Sequence, residues 1–225
     1  MNKVNTGGMF VTLEGVEGCG KSTQMDLLAR RLADRGIPHV CTREPGGTPF
    51  GREVRRILLN PQGPPRAPLA ELLLYLADRV QDLHQQIRPA LAEGRIVLCD
   101  RYHDATIAYQ GFGRGIPRPT IAALAAPLQL LPPDLTLLLD LPPEEALIRA
   151  RRRNETDARA RTESRFDDEA IAFHRRVQEG YRQLVREEPE RFAVIPAQGT
   201  PERIFTLLLT RFVDALPPQL KRKMS

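Results

Sequence analysis

Short, continuous apolar runs alternate along this chain with longer segments in which apolar residues recur every three or four positions. The runs are rich in leucine and β-branched residues, which is typical of strands buried on both faces of a parallel sheet. Helices between such strands would cover both faces of the sheet. The pattern therefore predicts an α/β fold with five parallel strands, at 9–13, 39–42, 95–100, 135–140 and 192–195.

Segments with helical spacing fill the intervals between these strands. Gly36, Pro89 and Gly94 stand where helices are expected to end, and 60–68 is a loop rich in proline and glycine. The predicted helices are a first one that ends before Gly36, then 49–59, 69–87, 120–130, one that begins at Pro142, 167–186 and 201–215.

With 225 residues, of which 41% are hydrophobic, the chain is large enough to form one sizeable core. Because no linker or repeat divides it, 9–216 is predicted to form one domain, between flexible extensions at 1–8 and 217–225. No apolar run is long enough to cross a bilayer, and 1–8 lacks the apolar core of a signal peptide. The sequence therefore predicts a cytoplasmic protein with no membrane partner.

The three cysteines and the net charge narrow the possible functional classes only in part. Cys19, Cys41 and Cys99 lie far apart without the spacing of a metal site, and we expect them to be reduced thiols. The net charge of +5 suits a nucleic acid, but it suits a small polyanionic substrate equally well. The positions of the arginines must therefore decide between these partners.

A glycine-rich segment, G-V-E-G-C-G-K-S at 15–22, joins the first predicted strand to the first predicted helix. In this context the glycines allow successive backbone N–H groups to form an anion-binding nest at the helix N-terminus. Lys21 would reach the terminal phosphates of a nucleotide, and the Ser22 hydroxyl would hold Mg²⁺. All other lysines lie near the chain ends, so this segment, the phosphate loop, uses a lysine where the rest of the chain uses arginine.

Two further pairs of residues have the chemistry of a nucleotide site. Asp100 ends a buried strand, where ligands bind in open α/β sheets, and it would hold Mg²⁺ through water. Arg101 beside it would clamp a phosphate group. Tyr75 and Arg79 share one helix face, which suits an aromatic ring stacked on a base and an arginine at its carbonyl edge. An ordinary amphipathic helix has the same spacing.

Four motifs occur in order: G-V-E-G-C-G-K-S at 15–22, T-R-E-P-G-G-T at 42–48, L-L-L-Y-L-A-D-R at 72–79 and D-R-Y-H-D-A-T-I-A-Y-Q-G at 100–111. Together they resemble the thymidylate kinase family, and the resemblance covers nearly the whole chain. It implies that the protein phosphorylates dTMP to dTDP with ATP and Mg²⁺, in dTTP synthesis. It also implies a P-loop NTP-hydrolase-type three-layer fold with sheet order 2-3-1-4-5, a mobile lid and a homodimer.

The resemblance implies which residues bind the phosphates. Arg55 and Arg101 match the clamp for the dTMP phosphate, and Arg43 is a further candidate. Glu17 matches the acid that meets the 3′-hydroxyl of the nucleotide sugar. The expected ATP site comprises Gly15, Val16, Glu17, Gly18, Cys19, Gly20, Lys21, Ser22 and Arg149.

The resemblance likewise implies which residues bind the nucleoside of dTMP. Tyr75 stands where the family usually has a phenylalanine stacked on thymine, and Arg79 where an arginine bonds a thymine carbonyl. Thr106 and Gln110 match positions that line the base. Tyr109 matches the ring beneath the deoxyribose, where a 2′-hydroxyl would clash. The hydroxyl of Tyr75 departs from the family pattern and bears on the choice of base.

The stretch 149–165 is dense in arginine and poor in apolar residues, so we expect it to be mobile without ligand. It resembles the lid of bacterial thymidylate kinases, at about 149–166 here, which carries a catalytic arginine. The phosphate loop contains no arginine, so a further cation must meet the transition-state charge. We expect Arg153 to do so, with Arg149 nearer the adenine, although the spacing alone also suits a solvated helix end. The expected catalytic residues are Lys21, Arg101 and Arg153.

Two other functions stay open at this stage. One is a kinase for another nucleoside monophosphate, such as UMP, CMP, dUMP, AMP or GMP; by resemblance, Arg79, Thr106, Tyr109 and Gln110 favour a pyrimidine deoxynucleotide. The other is a nucleotide-switched nucleic-acid-binding protein, which would need a basic stripe interleaved with aromatic residues. Only 5% of the residues are aromatic, and the arginines gather around the motifs. The expected partners are therefore dTMP and ATP, and no nucleic acid.

Overall fold

The computed structural model describes residues 8–224, except for the side chain of Arg159. Its centre is a five-stranded parallel sheet, in the order β2-β3-β1-β4-β5. The predicted number of strands, their parallel pairing and the implied sheet order are confirmed. The strands are β1 (Met9–Glu14), β2 (His39–Arg43), β3 (Ile96–Asp100), β4 (Leu135–Asp140) and β5 (Phe192–Pro196).

Helices connect the strands and cover both faces of the sheet. Two segments, Leu83–Ile87 and Ile107–Gly113, are π-helical, and Ala126–Leu128 is a 3₁₀ turn. The α-helices are α1 (Lys21–Asp34), α2 (Pro49–Leu59), α3 (Pro68–Asp82), α4 (Arg88–Ala92), α5 (His103–Thr106), α6 (Arg118–Ala125), α7 (Pro143–Thr156), α8 (Ala158–Thr162), α9 (Ile171–Glu187), α10 (Pro201–Ala215) and α11 (Pro218–Met224).

Successive side chains of β1 point to opposite faces, so this central strand contributes to two apolar clusters. Val11 and Leu13 belong to the larger cluster, together with residues of α1, α9 and α10. Phe10 belongs to a second cluster, with Leu83 and Val97. Every residue of β1 is buried, so packing on both faces holds the carboxyl end of the strand and the phosphate loop that follows it.

The helix predicted at 69–87 begins at Pro68, and helical structure continues beyond Pro89 to Ala92. The N–H of Arg88 donates to the carbonyl of Leu83, five residues earlier, in the π-helical segment. This wider turn places Pro89 in the first turn of α4, where its missing N–H needs no partner. The expectation that Pro89 marks the helix end was therefore wrong.

The C-terminal segment also differs from the prediction of a flexible tail at 217–225. Residues 218–224 form α11, and Met224 is buried in the larger cluster. Leu220, four residues earlier, lies on the same helix face and packs against that cluster. The other predicted extension, 1–8, lies outside the described residues apart from Gly8. In the part of the chain that the structure describes, no helix is both long and apolar enough to cross a membrane.

Candidate active site

A cavity of about 630 Å³ opens at the carboxyl ends of the central strands. It is bounded by the phosphate loop, α3, the segment after β3 and the lid, residues 149–166. Gly15 and Val16 do not line it, but their carbonyls accept hydrogen bonds from Lys21. The predicted residues that line it are Glu17, Gly18, Cys19, Gly20, Lys21, Ser22, Arg43, Arg55, Tyr75, Arg79, Asp100, Arg101, Thr106, Tyr109, Gln110, Arg149 and Arg153.

The phosphate loop wraps around the side chain of Lys21. Its Nζ donates to the carbonyl oxygens of Gly15 and Val16, each at 3.0 Å, and the side chain is almost buried. Gly18 has φ +75, and a Cβ there would lie 2.0 Å from the carbonyl oxygen of Ala146, so only glycine fits. Gly20, also left-handed, leads directly into α1 at Lys21. The loop therefore has the cation and the helix N-terminus that phosphate binding requires.

Ser22 and Asp100 bring two hard oxygen donors together. The Ser22 hydroxyl donates to Oδ2 of Asp100 at 3.5 Å, across 78 positions of sequence. Oδ1 of Asp100 is buried and makes no hydrogen bond within the described residues. A hydroxyl beside a carboxylate with an unsatisfied oxygen is a donor set that fits Mg²⁺.

Arg101 follows Asp100 and turns its side chain back toward the phosphate loop. Its guanidinium donates to the carbonyl of Gly15 at 2.9 Å and to Oε1 of Glu17 at 2.8 Å, and it lies 4.8 Å from the ring centre of Tyr109. The Tyr109 hydroxyl donates to Oε2 of Glu17 at 2.5 Å. Burial alone would raise the pKa of Glu17, but Arg101 and Lys21 outweigh it and hold that pKa below its usual value.

Arg79 on α3 is 1% exposed and has its donors already directed. Its Nε donates to Oε2 of Glu44 at 2.6 Å, Nη1 to the hydroxyl of Thr106 at 2.9 Å and Nη2 to the carbonyl of Tyr102 at 2.9 Å. Tyr75 lies one turn before Arg79 and lines the same wall. The predicted base-binding residues Tyr75, Arg79 and Thr106 therefore lie close together in the cavity lining, and Arg79 is held rigidly.

Acidic side chains behind Arg79 tie the loop after β2 to α3. Asp78 accepts from the N–H of Gly46 at 3.1 Å, and Asp82 accepts from the Thr42 hydroxyl at 2.8 Å. Burial raises the pKa of Asp78 to about 6 and that of Asp82 to about 7, and it raises the pKa of Glu44 as well. These contacts anchor T-R-E-P-G-G-T against α3, the helix that carries the predicted base-binding residues Tyr75 and Arg79.

Arg55 already has an anionic partner, which sequence reasoning missed. It donates to the carbonyl of Pro45 at 2.9 Å and pairs with Glu163 of the lid at 2.7 Å. Arg43, at the end of β2, lines the same cavity. A lid carboxylate therefore stands against a side chain that was expected to clamp the dTMP phosphate.

Gln110 and Arg165 both face Glu71, a buried acid of α3. Nε2 of Gln110 donates to Oε1 of Glu71 at 3.0 Å, and Arg165 approaches the other oxygen at 3.9 Å. Gln110 lines the cavity as expected, whereas Arg165 does not. Arg165, near the C-terminal end of the lid, therefore lies behind the cavity wall.

The lid is more structured than its composition suggested. α7 continues to Thr156, Ala150 is fully buried, and Phe166 is buried in edge-to-face contact with Tyr109 at 5.5 Å. Because 164–169 form turns around Phe166, the helix predicted at 167–186 begins at Ile171. Two apolar contacts therefore dock a stretch that was expected to have none.

The two lid arginines have different partners. Arg149 donates to the carbonyl of Ala197 at 3.0 Å, beside Gly199, which also lines the cavity. Arg153 donates to Oδ2 of the buried Asp167 at 3.2 Å, and its own side chain is 48% exposed. Local spacing could not have identified Asp167, because only the turn before α9 brings it to Arg153.

Comparison with known proteins places this geometry in a family. A family model described as thymidylate kinase matches residues 13–207. The thymidylate kinase of Desulfovibrio desulfuricans is 51% identical over 197 residues, which cover 87% of this chain and 91% of that protein. That of Synechococcus sp. is 47% identical over 210 residues, which cover 93% and 96%.

A solved structure agrees with these relatives. The crystal structure of thymidylate kinase from Ehrlichia chaffeensis superposes with a TM-score of 0.73 at 31% identity, and the match covers 91% of this chain and 98% of that one. The family model spans most of the chain, and the curated relatives match over nearly their whole length. The chain therefore belongs to the thymidylate kinase family.

Proposed function

We propose that this protein transfers the γ-phosphoryl group of ATP to dTMP and so makes dTDP for dTTP synthesis. One observation carries the proposal: a single cavity joins the phosphate loop to the buried pair of Arg79 and Thr106, and Arg101 lines the same cavity. Its volume lies within the range of small-molecule sites. A phosphate chain on the loop and a base at Arg79 would share one space.

Phosphoryl transfer depends on positioning and positive charge more than on covalent chemistry. Lys21 would exchange the loop carbonyls for phosphate oxygens of ATP. Arg101 would contact the group in transfer, and Arg153 would add charge from the lid. Arg149, beside the segment at Ala197, would lie on the adenine side.

Ser22 and Asp100 would hold Mg²⁺ with their hydroxyl and carboxylate oxygens. Bound there, the ion would neutralise charge on the phosphates of ATP. Removal of divalent cations with a chelator should therefore abolish turnover, and added Mg²⁺ should restore it.

The acceptor nucleotide would lie along α3 and the helical segment after β3. Tyr75 would stack on the base, Arg79 would donate to its carbonyl edge, and Thr106 and Gln110 would line it. Arg55 and Arg43 would hold its phosphate. For the sugar, we assign the Tyr109 ring as the floor and Glu17 as the acceptor from the 3′-hydroxyl.

We also propose that the protein is a cytoplasmic homodimer. Apolar side chains of the packed helices α2 and α3 are 39–49% exposed: Phe50, Ile57, Leu69, Leu73 and Val80. A second copy would cover such a patch. The three cysteines of the chain are free, which suits a reducing compartment such as the cytoplasm. Light scattering should give twice the chain mass, and Leu73→Glu should reduce it to the monomer.

An ADP-release assay with equal concentrations of dTMP, dUMP, UMP, CMP, AMP and GMP tests the function. We expect the highest kcat/KM with dTMP. Faster turnover of a ribonucleotide or a purine would assign the chain to another nucleoside-monophosphate kinase activity. ATP hydrolysis without any acceptor dependence would contradict a kinase function altogether.

A further inference from the structure

The backbone of Arg101 adopts a conformation that a non-glycine residue rarely takes. Its φ is +70, in the left-handed region, where the Cβ is crowded. Such a residue persists only where its surroundings hold it, and these positions concentrate at functional sites. The N–H of Arg101 donates to the carbonyl of Leu13 at 3.0 Å. The next N–H, that of Tyr102, donates to Oε1 of Glu14 at 2.7 Å. The end of β1 therefore holds the strained residue on both sides.

Glu14 also reaches the side chain of Arg101, through Tyr181. Glu14 is fully buried, and its second oxygen, Oε2, accepts from the hydroxyl of Tyr181 at 2.7 Å. Tyr181 comes from α9 and is 2% exposed. The oxygen of the same hydroxyl accepts from Nη1 of Arg101 at 3.3 Å. One carboxylate thus contacts the main chain beside Arg101 directly and its guanidinium through one hydroxyl.

The direction of these hydrogen bonds matters. A tyrosine hydroxyl has one proton, and because the Arg101 guanidinium can only donate to this hydroxyl, that proton points to Glu14. The lone pairs of the hydroxyl are then left for the guanidinium of Arg101. The other partners of that guanidinium are the carbonyl of Gly15 and the carboxylate of Glu17. If Glu17 turns to the sugar of the acceptor, the Tyr181 hydroxyl remains as a partner that no substrate takes.

We propose that Glu14 and Tyr181 are positioning residues, which hold Arg101 in its left-handed conformation and aim its guanidinium at the phosphoryl group in transfer. This inference rests on the proposed function and extends it by two residues that do not line the cavity. We expect their effect on catalysis to pass through Arg101, because the Tyr181 hydroxyl bonds to its guanidinium. The ring of Tyr181 also contacts Tyr109 in the cavity lining, and that contact is kept when only the hydroxyl is removed. A merely structural role, in which they tie α9 to β1, would affect stability and leave the substrate kinetics unchanged.

The first test is Tyr181→Phe, which keeps the ring and its contact with Tyr109. A hydrogen bond to a charged group is lost, so we expect kcat/KM for dTMP to fall about 10-fold, with the KM for ATP within about twofold of wild type. Thr12→Val is the matched control, because Thr12 is equally buried, lies on β1 and bonds only to Thr136 among the described residues. We expect the control to lower Tm without changing kcat/KM. Equal kinetics in wild type and Tyr181→Phe would overturn the proposal.

The second test asks whether the effect passes through Arg101. Arg101→Lys should lower dTMP turnover strongly, and Tyr181→Phe added to it should cost less than about twofold further, because coupled residues are not additive. Full additivity would overturn the positioning role. Glu14→Gln repeats the test should Tyr181→Phe fail to fold: the amide oxygen can still accept from Tyr102, but the amide N–H₂ would face the Tyr181 hydroxyl and reverse its direction.

The outcomes separate this inference from the proposed function. If Arg101→Lys impairs dTMP phosphorylation while Tyr181→Phe and Glu14→Gln do not, the positioning role fails and the kinase function stands. If the wild type does not phosphorylate dTMP, the proposed function fails. If Arg101→Lys is as active as wild type on dTMP, the role of Arg101 is wrong and the positioning role falls with it.

Discussion

Two sides of the cavity hold their arginines in opposite ways. On the α3 side, Arg79 is 1% exposed and donates to a carboxylate, a hydroxyl and a carbonyl. In the lid, Arg153 is 48% exposed and is held by the neighbouring Asn154 and by Asp167. The same residue type is thus preorganised on one side and adjustable on the other.

The difference follows from what each side must do. A site selects one base only if its donors are already directed and their burial makes a wrong partner costly. A lid must open to admit ATP, so its contacts have to be weak. The Arg153 guanidinium is half exposed, so solvent weakens its pairing with the buried Asp167, and a bound nucleotide can compete for it. The buried part of the cavity lining outside the lid, which we call the fixed side, should therefore hold the phosphate-binding cation and decide which acceptor binds. The lid should affect mainly the rate.

The largest expected effect is on the fixed side, at Lys21. Lys21→Ala should lower kcat by about 10³-fold, because a buried cation aimed at the phosphates is lost. Lys21→Arg should be nearly as inactive, since the side chain is enclosed by the loop carbonyls and a guanidinium needs more room. Steady-state kinetics and a thermal melt of each variant check this; a folded Lys21→Ala protein with normal kcat would contradict it.

The next effect tests the lid side. Arg153→Ala should lower kcat by about 10²-fold and change the Kd for ATP little, because its charge would act in the transition state. The matched control is Arg152→Ala, its exposed neighbour on α7, which does not line the cavity. Rapid-quench turnover and calorimetric ATP binding separate the two parameters. A weaker Kd at constant kcat would make Arg153 a binding residue, and the two sides would then not differ in the way proposed here.

A smaller effect is expected on sugar selection, again on the fixed side. Tyr109 is buried between Arg101, Phe166 and Phe173, so its ring has a fixed position. Tyr109→Ala should reduce the preference for a deoxyribose over a ribose acceptor by about 10- to 100-fold, the usual worth of such packing. Competition between dTMP and ribothymidine monophosphate measures the ratio. An unchanged ratio would place the discrimination elsewhere.

The smallest effect concerns the contact that joins the two sides. Glu163 of the lid forms an ion pair with Arg55, and both side chains are only partly exposed. Glu163→Gln should lower the KM for dTMP by about two- to fivefold, because the acceptor phosphate no longer competes with a carboxylate. Glu53→Gln is the control, since Glu53 pairs with Arg56 on the outer face of the same helix α2. A raised KM would instead indicate that Glu163 helps to form the site.

The sequence predicted those parts of the site whose signal is local. The phosphate loop, the acid at the end of β3 and the Tyr75–Arg79 pair are each defined within one short segment of the chain. Spacing along a single strand or helix is therefore enough to predict them. The resemblance to thymidylate kinases added the other predicted site residues, which lie in or near the same motifs. Neither source pointed to Glu163, Asp167 or Glu14, because no local pattern marks a residue whose partner is distant along the chain.

The sequence by itself determined the five strands, the parallel sheet and the phosphate loop, because continuous apolar runs and turn residues act over short segments. Only the tertiary structure decided what the charged groups contact. Arg55 meets Glu163 across 108 positions and Glu14 meets Tyr181 across 167, and the packing of the lid and of α9 against the sheet brings each pair together. The tertiary structure also decided the position of α11, because its Met224 is buried in a core that the rest of the chain forms. A buried charge needs a partner, and packing rather than sequence spacing decides which residue supplies it.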